Sequence, residues 1–128
     1  MITDHLSLLK VFIDFDGTIT KKDVGANIFI EFGDRDKAYE IIYGFRDGKL
    51  TATQTWDELL KTLKDPDEAV IREYVSGFEI DDHFKDFLKF LREREIEYYV
   101  ISDGFRFYIE SIFQREGIEA PFFSNDLK

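Results

Sequence analysis

The sequence contains no cysteine, which excludes a disulfide framework, a thiolate nucleophile and a thiolate zinc site. Histidine is nearly as scarce: His5 reads as part of an exposed terminus and His83 as the first turn of a helix, so the chemistry is not expected to rest on imidazole. Positive charge is short as well. Lys and Arg number 17 against 27 Asp and Glu, a formal net charge of −10 without a basic stripe, which argues against nucleic acid as a partner. No hydrophobic run is long enough to span a membrane. Met1–Lys10 carries Asp4 and lacks the apolar core and small-residue cleavage site of a secretory signal. The expectation is a cytoplasmic protein that opposes random encounter with anions, so that an anionic substrate must be drawn by local donors or a bound cation. Internal repeats, low-complexity tracts and Pro/Gly-rich linkers are also missing.

What the chain does carry agrees with a soluble α/β domain. At 128 residues it can bury roughly two-thirds of its unfolded surface. Phenylalanine is abundant, at 14 residues. A phenylalanine-rich core is its simplest use, with a pocket lining or a subunit interface as alternatives.

The most informative segment is Val11-Phe12-Ile13-Asp14-Phe15-Asp16-Gly17-Thr18-Ile19-Thr20. Val11–Phe15 is apolar and β-branched, long enough for a buried strand and too short for an independent helix, and Gly17 and Thr18 end it. Asp14 then falls at the strand's carboxyl end, where open parallel α/β sheets bind ligands. Side chains two apart share a strand face, so Asp14 and Asp16 converge if strand geometry persists, and two such carboxylates need a hard cation or a proton between them. Mg²⁺ suits that donor set. A bare pair of this kind is also compatible with two solvated turn aspartates.

A second segment, Glu97-Tyr98-Tyr99-Val100-Ile101-Ser102-Asp103-Gly104, reads as a strand over Ile96–Ile101 that ends in a hydroxyl and a glycine. A helix follows from about Phe105 to Glu116, with Ile109, Ile112 and Phe113 on one face, and Pro121-Phe122-Phe123-Ser124 can start a third strand. A serine at a strand–helix junction is also a common capping residue.

Between these segments the pattern is helical. Asp34–Tyr43 has helix-compatible composition and stops before Gly44. Thr51-Ala52-Thr53-Gln54 has the form of a capping box, followed by Trp56, Leu59, Leu60 and Leu63 at helical spacing. Asp65-Pro66-Asp67-Glu68 predicts another start, with Asp65 as N-cap, and a stop near Ser76-Gly77. Phe84, Phe87, Leu88 and Leu91 mark a crossover helix within Asp82–Glu95.

The segment D-F-D-G-T-I-T resembles the first motif of the haloacid-dehalogenase-like superfamily of phosphohydrolases and phosphotransferases, and the strand ending in Ser102 resembles its second. The resemblance implies a Rossmann-like parallel-sheet core (residues 1–19 and 81–128, incomplete) with an inserted helical-bundle cap (residues 20–80). It makes Asp14 the nucleophile that takes the phosphoryl group and Asp16 the acid/base. It also makes Asp14, with the backbone carbonyl of Asp16, a ligand of Mg²⁺. Gly17, Thr18, Ser102, Asp103 and Gly104 become the phosphate-binding set. The helical insertion is similar to the cap of the phosphoserine-phosphatase-like branch, which closes over the site and excludes water. In that branch an acidic residue nine positions after the nucleophile recognises the substrate's amino group. Asp23 stands there, and it reads equally as a helix N-cap. Leu59 occupies the place of the branch's carboxylate-binding arginine, so a bidentate partner for a substrate carboxylate is missing. D-G-T-I-T-x-x-D with I-S-D-G-F is also similar to the methylthioribulose-pathway phosphatases, which act on phosphorylated keto sugars.

The third-motif lysine and fourth-motif acidic pair of the family have no counterpart here, and Lys128 follows no finished strand. The implied protein is therefore the N-terminal part of a Mg²⁺-dependent phosphatase of a small phosphorylated metabolite, nearly inert alone. A phosphotransferase, or a non-catalytic phosphate- or partner-binding module, is the alternative. With its family neighbour missing, strand one becomes a sheet edge, which predicts a homodimer or swapped assembly.

Overall fold

A computed structural model of the chain describes residues 8–64 and 67–126. His5, Asp65, Pro66 and Lys128 lie outside the described residues. The elements run β1 (Lys10–Asp14), α1 (Val24–Phe32), α2 (Arg35–Arg46), α3 (Ala52–Lys61), α4 (Glu68–Val75), α5 (Phe84–Glu93), β2 (Glu97–Phe105), α6 (Arg106–Glu116) and β3 (Phe122–Asn125). The chain is α/β, and its three strands form a parallel sheet in the order β1-β2-β3. It divides into two compact units, one built from the residues up to Lys22 and from Phe78 onward, the other from Asp23–Gly77.

In the sheet unit, Ile13 pairs with Val100 and both are buried. Helix α6 turns Tyr108, Ile109, Ile112 and Phe113 inward, and Phe113 meets Phe15 (centroids 5.6 Å) and Phe122 (5.8 Å) edge to face. Helix α5 adds Phe84, Leu88 and Leu91, whereas Phe87, placed by periodicity on the same face, is exposed. A buried aromatic such as Phe15 is worth about 3–5 kcal/mol against alanine.

Strand β1 departs from the buried strand its composition predicts. It lies at the sheet edge among the described strands, and Phe12 is 62% exposed. Among the described residues only one face of the sheet is covered, and β1 alternates like a one-sided strand. On the open face Phe12 stacks on Tyr99 (5.8 Å), which meets Phe123 (6.1 Å), and Ile101 lies on the same face. Strand β2 is longer than predicted and runs through Gly104 to Phe105, with a register break after Ile101. Gly104 therefore lies within a strand, and the helix expected from about Phe105 starts at Arg106.

The chain leaves and re-enters this unit through two paired segments. Thr20 bridges Ile80 in antiparallel fashion, the Lys21 N–H donates to Glu79 O (3.0 Å), and the Asp81 N–H donates to Ile19 O (2.7 Å). The Lys21 ammonium sits 3.0 Å from both Asp82 and Glu79, and these carboxylates, Asp82 foremost, hold its pKa above the ordinary lysine value.

The helical unit contains α1–α4. Asp23, Asp34, Thr51 and Asp67 cap the four helices, and the Thr51–Gln54 capping box is formed in both directions. Helix α2 continues through Gly44 to Arg46, against the predicted stop at Tyr43, because an interior glycine costs only about 1 kcal/mol. Helix α4 is capped by Asp67, two residues after the expected Asp65. Leu59 is buried here, and Phe29 meets Trp56 (5.8 Å).

Candidate active site

Strand β1 delivers Asp14 to its carboxyl end, opposite Ile101 and one register step from Ser102 on β2. The next peptide turns at once. The Phe15 N–H donates to Asp14 Oδ1 (2.9 Å), and Asp16 (φ −67°, ψ 121°) and Gly17 (φ 75°, ψ 1°) have the angles of a type II turn. That turn requires positive φ at its third residue, which is why glycine stands there. Thr20 is fully buried and ties the turn down: its Oγ1 accepts from the Gly17 N–H (3.0 Å) and reaches the carbonyls of Lys22 (2.7 Å) and Phe15 (3.3 Å). The Thr20 N–H closes the loop onto Phe15 O (3.2 Å). Thr18 is exposed on the turn.

Strand geometry does not persist to Asp16, so the two aspartates do not converge by strand alternation. Asp14 instead lines an open depression with Phe12, Ile13, Ile101 and Asp103. The half-buried Asp16 is directed toward the end of β2, where Oδ2 accepts a 2.6 Å hydrogen bond from the Tyr108 hydroxyl. A Cβ placed on Gly104 would overlap that hydroxyl and lie 2.8 Å from Asp16 Oδ2. Close approach, not a special φ, explains this glycine. First and second segments thus meet at Asp16, Gly104 and Tyr108.

Ser102 is buried, and its Oγ accepts from the Gly104 N–H (2.9 Å). A hydroxyl that accepts in this way keeps its own proton to donate. Asn125 Nδ2 donates to Asp103 O (2.7 Å) and ties the irregular end of β2 to β3. Asp23 caps α1, with Oδ1 accepting from the Ala26 N–H (2.9 Å). His83 precedes α5 and makes no side-chain cap, its N–H donating to Asp81 Oδ1 (2.9 Å).

Three residues of this constellation escape sequence reading: Thr20 as the staple of the turn, Tyr108 as the partner of Asp16, and Asn125 as the clamp on β2. Thr20 carries a faint signal, as the last residue of the D-F-D-G-T-I-T segment. Tyr108 and Asn125 carry none, since each acts on a residue more than 20 positions away. Among the described residues no group of three or more His, Asp or Glu is placed to hold a metal ion. The hard oxygens of Asp14 suit Mg²⁺ nonetheless, because that ion commonly takes one or two carboxylates and completes its shell with water. No described helix is long and apolar enough to cross a membrane.

A strand-end aspartate beside a glycine turn, next to a buried serine on the neighbouring parallel strand, is the α/β arrangement that the resemblance to the haloacid-dehalogenase-like superfamily implies. Residues 9–125 match the family described as Putative Phosphatase, and the chain belongs to that family. It is 33% identical over 118 residues to the 2-hydroxy-3-keto-5-methylthiopentenyl-1-phosphate phosphatase of Lysinibacillus sphaericus, covering 84% of this chain and 47% of that protein. The protein of the same name from Microcystis aeruginosa is 33% identical over 108 residues, covering 84% and 51%. The chain thus spans about half the length of the curated relatives it matches. Its fold is also that of a HAD family hydrolase from Salmonella enterica serovar Typhi (TM-score 0.78, 18% identity, covering 93% of this chain and 41% of the other). A phosphoserine phosphatase solved as a phospho-aspartyl intermediate analogue shares it too (TM-score 0.79, 23% identity, covering 93% and 56%).

Proposed function

We propose that the chain is the part of a cytoplasmic phosphomonoester hydrolase that carries the nucleophile and the acid/base. The observation that carries this reading is the placement of Asp14 at the end of β1 in register with the Ser102 end of β2, while Asp16 sits in the adjoining turn. The Asp14 carboxylate attacks phosphorus, the ester P–O bond breaks, and the leaving oxygen takes a proton from Asp16. Water then attacks the aspartyl phosphate, Asp16 takes the water's proton, and the acyl phosphate bond breaks to free phosphate and Asp14. Ser102 donates to a phosphoryl oxygen, and the backbone beside Gly17, Thr18, Asp103 and Gly104 surrounds the group. Asp14 and the backbone carbonyl of Asp16 would hold Mg²⁺, which would screen the charge of the phosphate.

The substrate proposed is a small phosphorylated metabolite, and a keto-sugar phosphate rather than phosphoserine. Relatives named for a phosphorylated methylthio-keto compound support this, as does the buried Leu59 where a carboxylate-binding arginine would be needed. The helical unit is proposed as the cap, with Asp23 free to take a substrate contact besides its capping bond. Efficient turnover is proposed to need a lysine and further carboxylates from polypeptide of the kind that makes up the other half of the relatives.

Trapping tests the nucleophile directly. With Mg²⁺, beryllium and fluoride, ¹⁹F NMR should show a bound beryllofluoride that disappears in Asp14→Asn while the fold stays intact. A signal that survives unchanged in that variant refutes the assignment.

A further inference from the structure

Helix α6 buries Tyr108, Ile109, Ile112 and Phe113. Tyr108 is 0% exposed, and its ring lies against Phe15 (5.9 Å) and Phe107 (5.5 Å). A phenylalanine would fill that space without burying a hydroxyl, so packing alone does not account for tyrosine. The hydroxyl donates to Asp16, 92 residues away, at 2.6 Å, and the bond fits only because position 104 has no side chain.

Building on the phosphatase reading above, we infer that Tyr108 is a positioning residue for Asp16, with Gly104 as the clearance that lets it reach. Asp16 stands on a turn fixed by Thr20, but its own side chain has two rotatable bonds and sits half-exposed. The phenol holds Oδ2, which sets the plane of the carboxylate. The proton that Asp16 gives to the leaving oxygen, and later takes from water, is carried on Oδ1. The phenol keeps its own proton throughout, so its role is geometric and the same in both half-reactions. Acid/base catalysis depends on hydrogen-bond reach and direction, and a carboxylate free to rotate spends only part of its time aligned.

Two measurements test this. In the 128-residue chain, the buried Tyr108 hydroxyl should give a slowly exchanging proton resonance that is absent from Tyr108→Phe and lost or strongly moved in Asp16→Ala. A resonance indifferent to Asp16→Ala overturns the inference. In the full product of the gene, the leaving group then separates positioning from folding. Tyr108→Phe should lower kcat for an alkyl phosphate by about tenfold or more, part of the roughly 10²–10⁴-fold that a positioned acid/base contributes, with KM little changed. The burst of p-nitrophenolate from p-nitrophenyl phosphate, whose leaving group needs no proton, should change by less than about threefold. Equal losses on the two esters, or none on either, overturn the positioning role. Should the unaltered protein hydrolyse neither ester, the phosphatase reading fails by itself, and the resonance alone upholds or overturns the anchor.

Discussion

Replacing Thr20 by valine removes one hydroxyl and leaves the side-chain shape nearly unchanged, which isolates what holds the Asp16–Gly17 turn. The hydroxyl accepts from the Gly17 N–H (3.0 Å) and has one proton for two carbonyls, Lys22 O at 2.7 Å and Phe15 O at 3.3 Å. Two hydrogen bonds are therefore lost in effect, at about 1 kcal/mol each. Thr20 is fully buried, so the abandoned groups cannot all find water, which adds about 1 kcal/mol. The methyl that replaces the hydroxyl returns about 0.8 kcal/mol of apolar burial. The net cost is about 2 kcal/mol, or about 6–10 °C in Tm for a chain of this size. Thr20→Ser keeps the hydroxyl and loses one buried methyl, costing about 1 kcal/mol. Urea unfolding followed by far-UV circular dichroism, with the m-value checked for constancy, measures both. Valine must prove the worse substitution. If Thr20→Val is as stable as Thr20→Ser, the hydroxyl does not hold the turn and the reasoning fails.

Gly17→Ala should cost about 1–2 kcal/mol by the same assay, entirely from the positive φ, since nothing lies within 4 Å of a Cβ there; a neutral result would show that the turn relaxes. Asp82 and Glu79 raise the Lys21 pKa above 10.5, so their contribution to stability is complete below that value and is lost as pH rises through the higher folded-state value. The small difference in urea midpoint between the unaltered chain and Lys21→Met should therefore stay level to about pH 10 and shrink above it; a difference that grows with pH contradicts the ion-pair assignment. The open sheet face, with Phe12 62% and Phe123 61% exposed, predicts self-association that Phe12→Lys reduces. Light scattering decides, and a monodisperse monomer of the unaltered chain at high concentration rules it out.

What was legible in the chain was local. A capping box depends on residues three apart, and Thr51 and Gln54 form it as read. The requirement for glycine at position 17 depends on one φ value. Asp14 at the end of one strand and Ser102 near the end of the next follow from such signals, although the connection between the two strands holds the whole helical unit. Element ends were less legible, because Gly44 and Gly104 have local preferences that packing overrides.

The sequence by itself determined the parallel α/β order, the strand-end aspartate and the glycine turn, because each rests on backbone preferences and patterns within a few residues. Only the tertiary structure decided that Asp16 turns away from the strand face to Tyr108, that Thr20 staples the turn, and that the sheet is apolar on an uncovered side. The first of these depends on how a helix formed some 90 residues later packs against the strand end, with Tyr108 and Asp16 92 positions apart. Spacing along a chain carries no record of which buried hydroxyl will meet which carboxylate once the core has closed.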